Sequence, residues 1–113
     1  MSARNVLNIN EEIVVLTLAA GVAGSVTLPY IPEFVEFTNT GTGVAYAKAI
    51  AVGGAAMTVP GATFPARPST QSGVEIQPGA SKTYRYVLRT DLPTISAISA
   101  AGTTLSVKIG RGV

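Results

Sequence analysis

Thr103-Thr104-Leu105-Ser106-Val107-Lys108-Ile109 sets three large aliphatic residues at every second position and fills the gaps with Thr, Ser and Lys. Side chains of an extended chain point alternately to opposite faces, so this stretch reads as a strand with one buried and one solvated side. A helix would scatter Leu105, Val107 and Ile109 around its circumference. The same period governs the neighbouring runs. Val35 and Phe37 alternate with Glu36 and Thr38. From Lys82 to Arg89, Tyr84, Tyr86 and Leu88 share the face expected in the core, with Thr83, Arg85, Val87 and Arg89 on the other.

Turn residues separate these runs. Asn39-Thr40-Gly41-Thr42-Gly43 supplies an Asn and two Gly, all tolerant of positive φ, and Gln77-Pro78-Gly79-Ala80 has the Pro-Gly order of a tight turn. Ala100-Ala101-Gly102 precedes the last run. Connections this short predict antiparallel neighbours, because parallel pairs need long crossovers. About seven or eight strands are expected, near Glu12–Leu18, Ser25–Leu28, Val35–Asn39, Val44–Val52, Gly73–Ile76, Lys82–Arg89, Thr94–Ser99 and Thr103–Ile109. The fold class is all-β, an antiparallel β-sandwich or barrel.

The Val44–Val52 run is rich in Ala, the best helix former, yet Ala falls at every second position with Val, Tyr, Lys and Ile between. A strand gathers the large residues on one side and leaves a smooth Ala strip that admits a close neighbour, so strand is the expectation and the strip a candidate contact surface. Gly53 to Ser72 is the one long irregular region, with three prolines that an uninterrupted strand does not sustain. Within it Met57, Phe64 and Arg67 are expected to be exposed and are the candidate partner-binding residues. No acid occurs between Glu36 and Glu75, so the loop is weakly positive. It reads either as a mobile surface excursion or as a docking arm that orders on a partner. Residues 1–10 read as an extended arm or a frayed end.

At 113 residues the chain is expected to form a single β domain, 1–113. Charged residues make up only 12%, against about 25% in ordinary soluble domains. The exterior must then be Ser, Thr, Asn and Gly, or be covered by neighbours. The eight basic residues are scattered, with Lys82–Arg89 the nearest to a cluster, so no nucleic-acid partner is expected. Ile13–Tyr30 carries no charge over eighteen residues, but its Gly, Thr, Ser and Pro and the preceding Glu11-Glu12 favour two strands around a turn over a membrane segment.

Chemistry is scarce. The sequence has no Cys, His or Trp, which removes disulfides, thiolate metal sites and the common nucleophile–base pairs. The absence of Cys fits assembly in a reducing cytosol. The acids, Glu11, Glu12, Glu33, Glu36, Glu75 and Asp91, are not spaced as a cation loop or a carboxylate pair. Glu12 and Glu33 flank apolar strands, where a charge guards against edge pairing. Ser81 and Lys82 are adjacent and would point to opposite faces of a strand. No catalytic residue, metal or cofactor is expected, and the chain is expected not to be an enzyme.

Three stretches, Val35-Glu36-Phe37-Thr38-Asn39-Thr40-Gly41, Gly73-Val74-Glu75-Ile76-Gln77-Pro78-Gly79, and the hairpin-like Ile95 to Thr104, follow a recognisable order. A strand ends in an Asn-x-Gly turn, a second strand and a variable loop follow, then a Pro-Gly turn and a closing pair. This order resembles small β-sandwich virion proteins of tailed bacteriophages, the head decoration or cement type, over about two-thirds of the chain. The resemblance implies a virion protein assembled in the host cytoplasm, contacting the major capsid protein or other virion proteins and further copies of itself. A tail or connector component and a carbohydrate- or ligand-binding module of a fibre or surface protein are the alternatives.

Overall fold

The computed structural model describes residues 8–59, 70, 73–86 and 91–111, with side chains placed from Val14 to Gly110. Eight strands form: β1 (Asn8–Leu18), β2 (Gly24–Thr27), β3 (Phe34–Asn39), β4 (Ala45–Ile50), β5 (Val74–Ile76), β6 (Ser81–Arg85), β7 (Thr94–Ile98) and β8 (Thr103–Arg111). They make two four-stranded antiparallel sheets, a front sheet in the order β1-β8-β3-β6 and a back sheet in the order β2-β7-β4-β5. The open sheets pack face to face as a sandwich and do not close into a barrel. Ile13–Tyr30 contributes β1 and β2, and among the described residues no helix is long and apolar enough to cross a membrane. Residues 8–10, expected in an arm, belong to β1, and Leu88 lies outside the described residues.

The core forms where the period-two faces meet. Val35, Phe37, Leu105, Val107 and Ile109 point inward from the front sheet, and Val74, Ile76 and Ile95 from the back. Tyr84 and Tyr86 pack on the same side, with Phe37 and Tyr84 rings 6.3 Å apart and tilted by 51°. The Ala strip of β4 also faces inward: Ala45, Ala47 and Ala49 are buried, while Tyr46, Lys48 and Ile50 point out. This corrects the reading of the strip as a surface for a partner. Its small side chains leave room for the large aliphatics and Phe37 of the opposite sheet.

The expected hairpins are corrected too. The turns at 39–43, 77–80 and 100–102 do not join hydrogen-bonded neighbours; each carries the chain from one sheet to the other. The link between β1 and β2 does the same. Among the described strands only β4 and β5 are both consecutive and paired, and the long loop joins them.

The cause is the side chain of Asn39, buried at the end of β3. Its Nδ2 donates to the carbonyls of Gly43 (2.8 Å) and Ile76 (3.0 Å), and its Oδ1 accepts from Gly41 N–H (3.1 Å) and the Thr103 hydroxyl (2.6 Å). Its backbone N–H donates to Ala80 O, and Gly79 N–H donates to its carbonyl. One amide therefore ties together three arches. Gly41 and Gly43 are not at positive φ, as turn grammar suggested. They are glycines because a Cβ on Gly41 would collide with Thr103 and sit 2.7 Å from Thr104 N, and one on Gly43 would collide with Gly102 O. Gly79 does use positive φ, 79°, in a Pro-Gly turn closed by Ala80 N–H to Gln77 O at 3.0 Å.

Asn39→Ala is expected to lower unfolding free energy by roughly 4 kcal/mol, because it orphans several buried groups at once and each costs about 1–3. Urea denaturation followed by fluorescence measures it, and Asn39→Asp should be nearly as damaging, since a carboxylate has no hydrogen to give Gly43 and Ile76.

Candidate functional site

The outer face of the back sheet is largely covered by the chain itself. After β4 the chain turns at Ala51–Gly54, closed by Gly54 N–H to Ala51 O at 2.8 Å, and runs back across the sheet. Met57 N–H donates to the Ser96 hydroxyl at 2.8 Å, and the Met57 side chain reaches Gly73, where a Cβ would stand 3.3 Å from its terminal methyl. Met57 is only 7% exposed. The expectation of an exposed Met57 is thereby corrected: it straps the sheet, which is why both faces of β7 are buried. Phe64 and Arg67 lie outside the described residues, as does the rest of 60–69. Thr70, where description resumes, is pinned to both sheets: its carbonyl accepts from Ala49 N–H and its hydroxyl donates to Arg85 O at 3.4 Å.

Between this strap and β2 lies a half-open groove of about 230 Å³. Ser25, Thr27, Thr94 and Ser96 give it hydroxyls, and Ile50 and Val52 an apolar wall. The Thr27 and Thr94 hydroxyls face each other at 3.2 Å, and Ser96 is engaged by Met57. Among the described residues the groove's lining holds neither an aromatic ring nor a charge, and its volume is below the roughly 300 Å³ of ordinary ligand pockets.

The outer face of the front sheet is rich in hydroxyls, several of them paired on that face. Thr38 and Ser81 hydroxyls lie 2.8 Å apart, Glu36 Oε2 accepts from Ser81 (3.3 Å) and Thr83 (3.5 Å), and Lys108 stands opposite Glu36 in the ladder. Arg85 lies 5.3 Å from the centre of the Phe34 ring. Ser81 and Lys82 are adjacent and exposed on β6. Among the described residues no group of three His, Cys, Asp or Glu is placed to hold a metal.

What the front sheet leaves open is its two edges. Among the described residues β1 is the longest strand, eleven residues, and it pairs only on the β8 side. Register shifts interrupt it between Asn8 and Glu11 and between Glu12 and Val14, but Val14–Leu18 runs in regular register. Val15 there is 49% exposed. At the other edge β6 presents Ser81, Lys82, Thr83 and Arg85 to solvent. Bulges and a nearby charge blunt edges against unwanted pairing. On β1 both devices stop at Val14.

No protein-family model, curated protein or solved structure matches the chain.

The tyrosines report on packing. Burial pushes Tyr86 up to about 12, and its hydroxyl donates to Leu92 O at 2.8 Å. Tyr46 and Tyr84 are also raised, first by burial and then by the negative charge of Glu75. A phenol whose folded value lies above the unfolded 10.0 keeps its full contribution below pH 10 and loses it as pH rises toward the folded value. Stability is therefore expected to fall between about pH 10 and 12, and Tyr86→Phe should flatten that fall while costing about 1 kcal/mol at neutral pH through the unpaired Leu92 carbonyl. Denaturation midpoints across the alkaline range measure both. Met57→Ala, which empties the strap, should cost about 2–4 kcal/mol by the same method.

Proposed function

We propose that the chain is a structural protein of a virion, a head decoration protein that stabilises the capsid shell through protein contacts and carries out no catalysis. The edge of β1 is the observation that supports this reading most directly. Val14–Leu18 is an uncharged, regular strand with one side of its backbone unpaired among the described residues, and such an edge accepts an added strand from another chain. The low charge content and the resemblance of the sequence's strand and turn order to phage decoration proteins are consistent with the same reading. The partners are the major capsid protein or another virion protein, and further copies of this chain. Each contact adds binding free energy that exists only in the assembled shell, so the shell is stabilised by mass action. The groove beside β2 gives little support to a sugar-binding module, since no ring lines it among the described residues.

Quantitative mass spectrometry of purified particles tests the reading. Decoration requires on the order of hundreds of copies, because one copy serves each shell subunit or seam. About a dozen copies would move the protein to the tail or connector, and absence from the particle would overturn the proposal. Particles lacking the protein are expected to release their contents at lower temperature than complete ones.

A further inference from the structure

Two of the four sheet edges are too short to offer much. β5 has three residues, and β2 has four and opens onto the groove. The other two, β1 and β6, are opposite edges of the same sheet.

The backbone groups free at each edge follow from the ladders. In an antiparallel pair, alternate residues direct both N–H and C=O to one side. Ala80 O and Tyr86 N are used by β3, accepting from Asn39 N–H and donating to Glu33 O. Lys82 and Tyr84 therefore face β3, and Ser81, Thr83 and Arg85 face outward. The Arg85 carbonyl is already taken by Thr70, which leaves Ser81 and Thr83. On β8, Thr104 O accepts from Thr40 N–H on the β3 side, so Thr103, Leu105 and Val107 face β1. Their partners Leu18, Leu16 and Val14 face back, and Val15 and Thr17 direct their groups to the open edge. No backbone bond reaches these outward groups among the described residues.

Direction matches as well. Four antiparallel strands make β1 and β6 run in opposite senses, so β6 of one copy can pair antiparallel with β1 of a second copy held in the same orientation. Placing Val15 opposite Thr83 and Thr17 opposite Ser81 sets free N–H and C=O groups against each other, four bonds in all. It also keeps outer faces with outer faces, as sheet register requires. Charge selects this pairing over its rivals. β1 contains two acids, Glu11 and Glu12, and no base, while β6 contains Lys82 and Arg85 and no acid. The chosen register brings Arg85 to the Glu11-Glu12 end. Two β6 edges would set like charges together, and two β1 edges would leave the acids without a counter-charge.

We infer that copies of this protein join edge to edge, β6 of one beside β1 of the next, so that the front sheet continues from protomer to protomer. The contact is head-to-tail, and it closes into a ring or runs on according to the rotation between copies. It concerns the isolated chain and does not rest on the capsid reading, since a shell protein could take the same edge were self-pairing absent.

Proline removes the outward N–H and is tolerated at an edge. In sedimentation velocity the wild type should gain mass with concentration, up to about 1 mM. Thr83→Pro blocks β6 and Thr17→Pro blocks β1, so each variant alone should be monomeric. Mixed one to one they should form a heterodimer and nothing larger, because each supplies the edge the other lacks. A wild type that stays monomeric overturns the inference, as does a Thr83→Pro variant that still dimerises, the mark of β1–β1 pairing, or a mixture that stays monomeric. Thermal melts check that both variants fold. If either does not, Arg85→Glu on the exposed end of β6 should weaken wild-type association about tenfold, with recovery when Glu12→Lys is added. Association unchanged by the reversal overturns the inference.

Discussion

The Asn39 amide is the constraint from which the topology follows. A β-sandwich must move its chain between layers somewhere, and each crossing leaves backbone groups that no ladder satisfies. Here the short crossings gather at one end, and a single side chain with two hydrogens and two lone pairs meets four of the groups they expose. Gly21 N–H to Ser99 O, 2.8 Å, draws the β1–β2 crossing to the same place. Such close approach leaves no room for side chains at Gly41 and Gly43, so the glycines and the asparagine form one unit. The neighbouring Ser99 hydroxyl is buried there without a hydrogen-bond partner among the described residues.

Strand positions were legible in the sequence because alternation is a local property. Each of the eight expected runs contains a strand, though β6 ends at Arg85 with 87–89 outside the described residues, and Leu105, Val107 and Ile109 lie inward as their spacing required. Pairing was not legible. Asn39–Gly43 carries the residues of a hairpin turn, and its use as an arch depends on Thr103 and Ile76, far along the chain. Met57 was misread for a related reason. Its surroundings look like an exposed loop, and what buries it is small residues elsewhere, Ser96 and Gly73. Thr94-Ile95-Ser96-Ala97-Ile98 held a clue, since the residues alternating with its core positions are small or apolar and carry no charge, as suits a strand covered on both sides. Of the candidate contact residues the sequence supplied composition alone. The open backbone of β1 and β6 emerges only once the strand order is known.

The two layers consequently differ in availability. The back sheet covers much of its own outer face with the strap and closes one flank through Thr70. The front sheet keeps an outer face on which the Thr38, Ser81 and Thr83 hydroxyls are already hydrogen-bonded to each other or to Glu36. Its edges are different, because unpaired N–H and C=O groups gain a ladder on contact. On the proposed reading, contacts would form along two narrow strips, and a narrow strip favours repeated weak contacts over one tight one.

The position of β8 has a consequence for how the chain is made. β8 is the last strand in sequence, yet it lies between β1 and β3. Until residues 103–111 leave the ribosome, β1 has no partner and β3 only β6. Nearly every ladder joins segments distant in sequence, the arrangement in which loop closure slows folding. Through that interval β1 has both sides of its backbone open, so a growing chain presents to its neighbours the very strand that the finished protein half conceals.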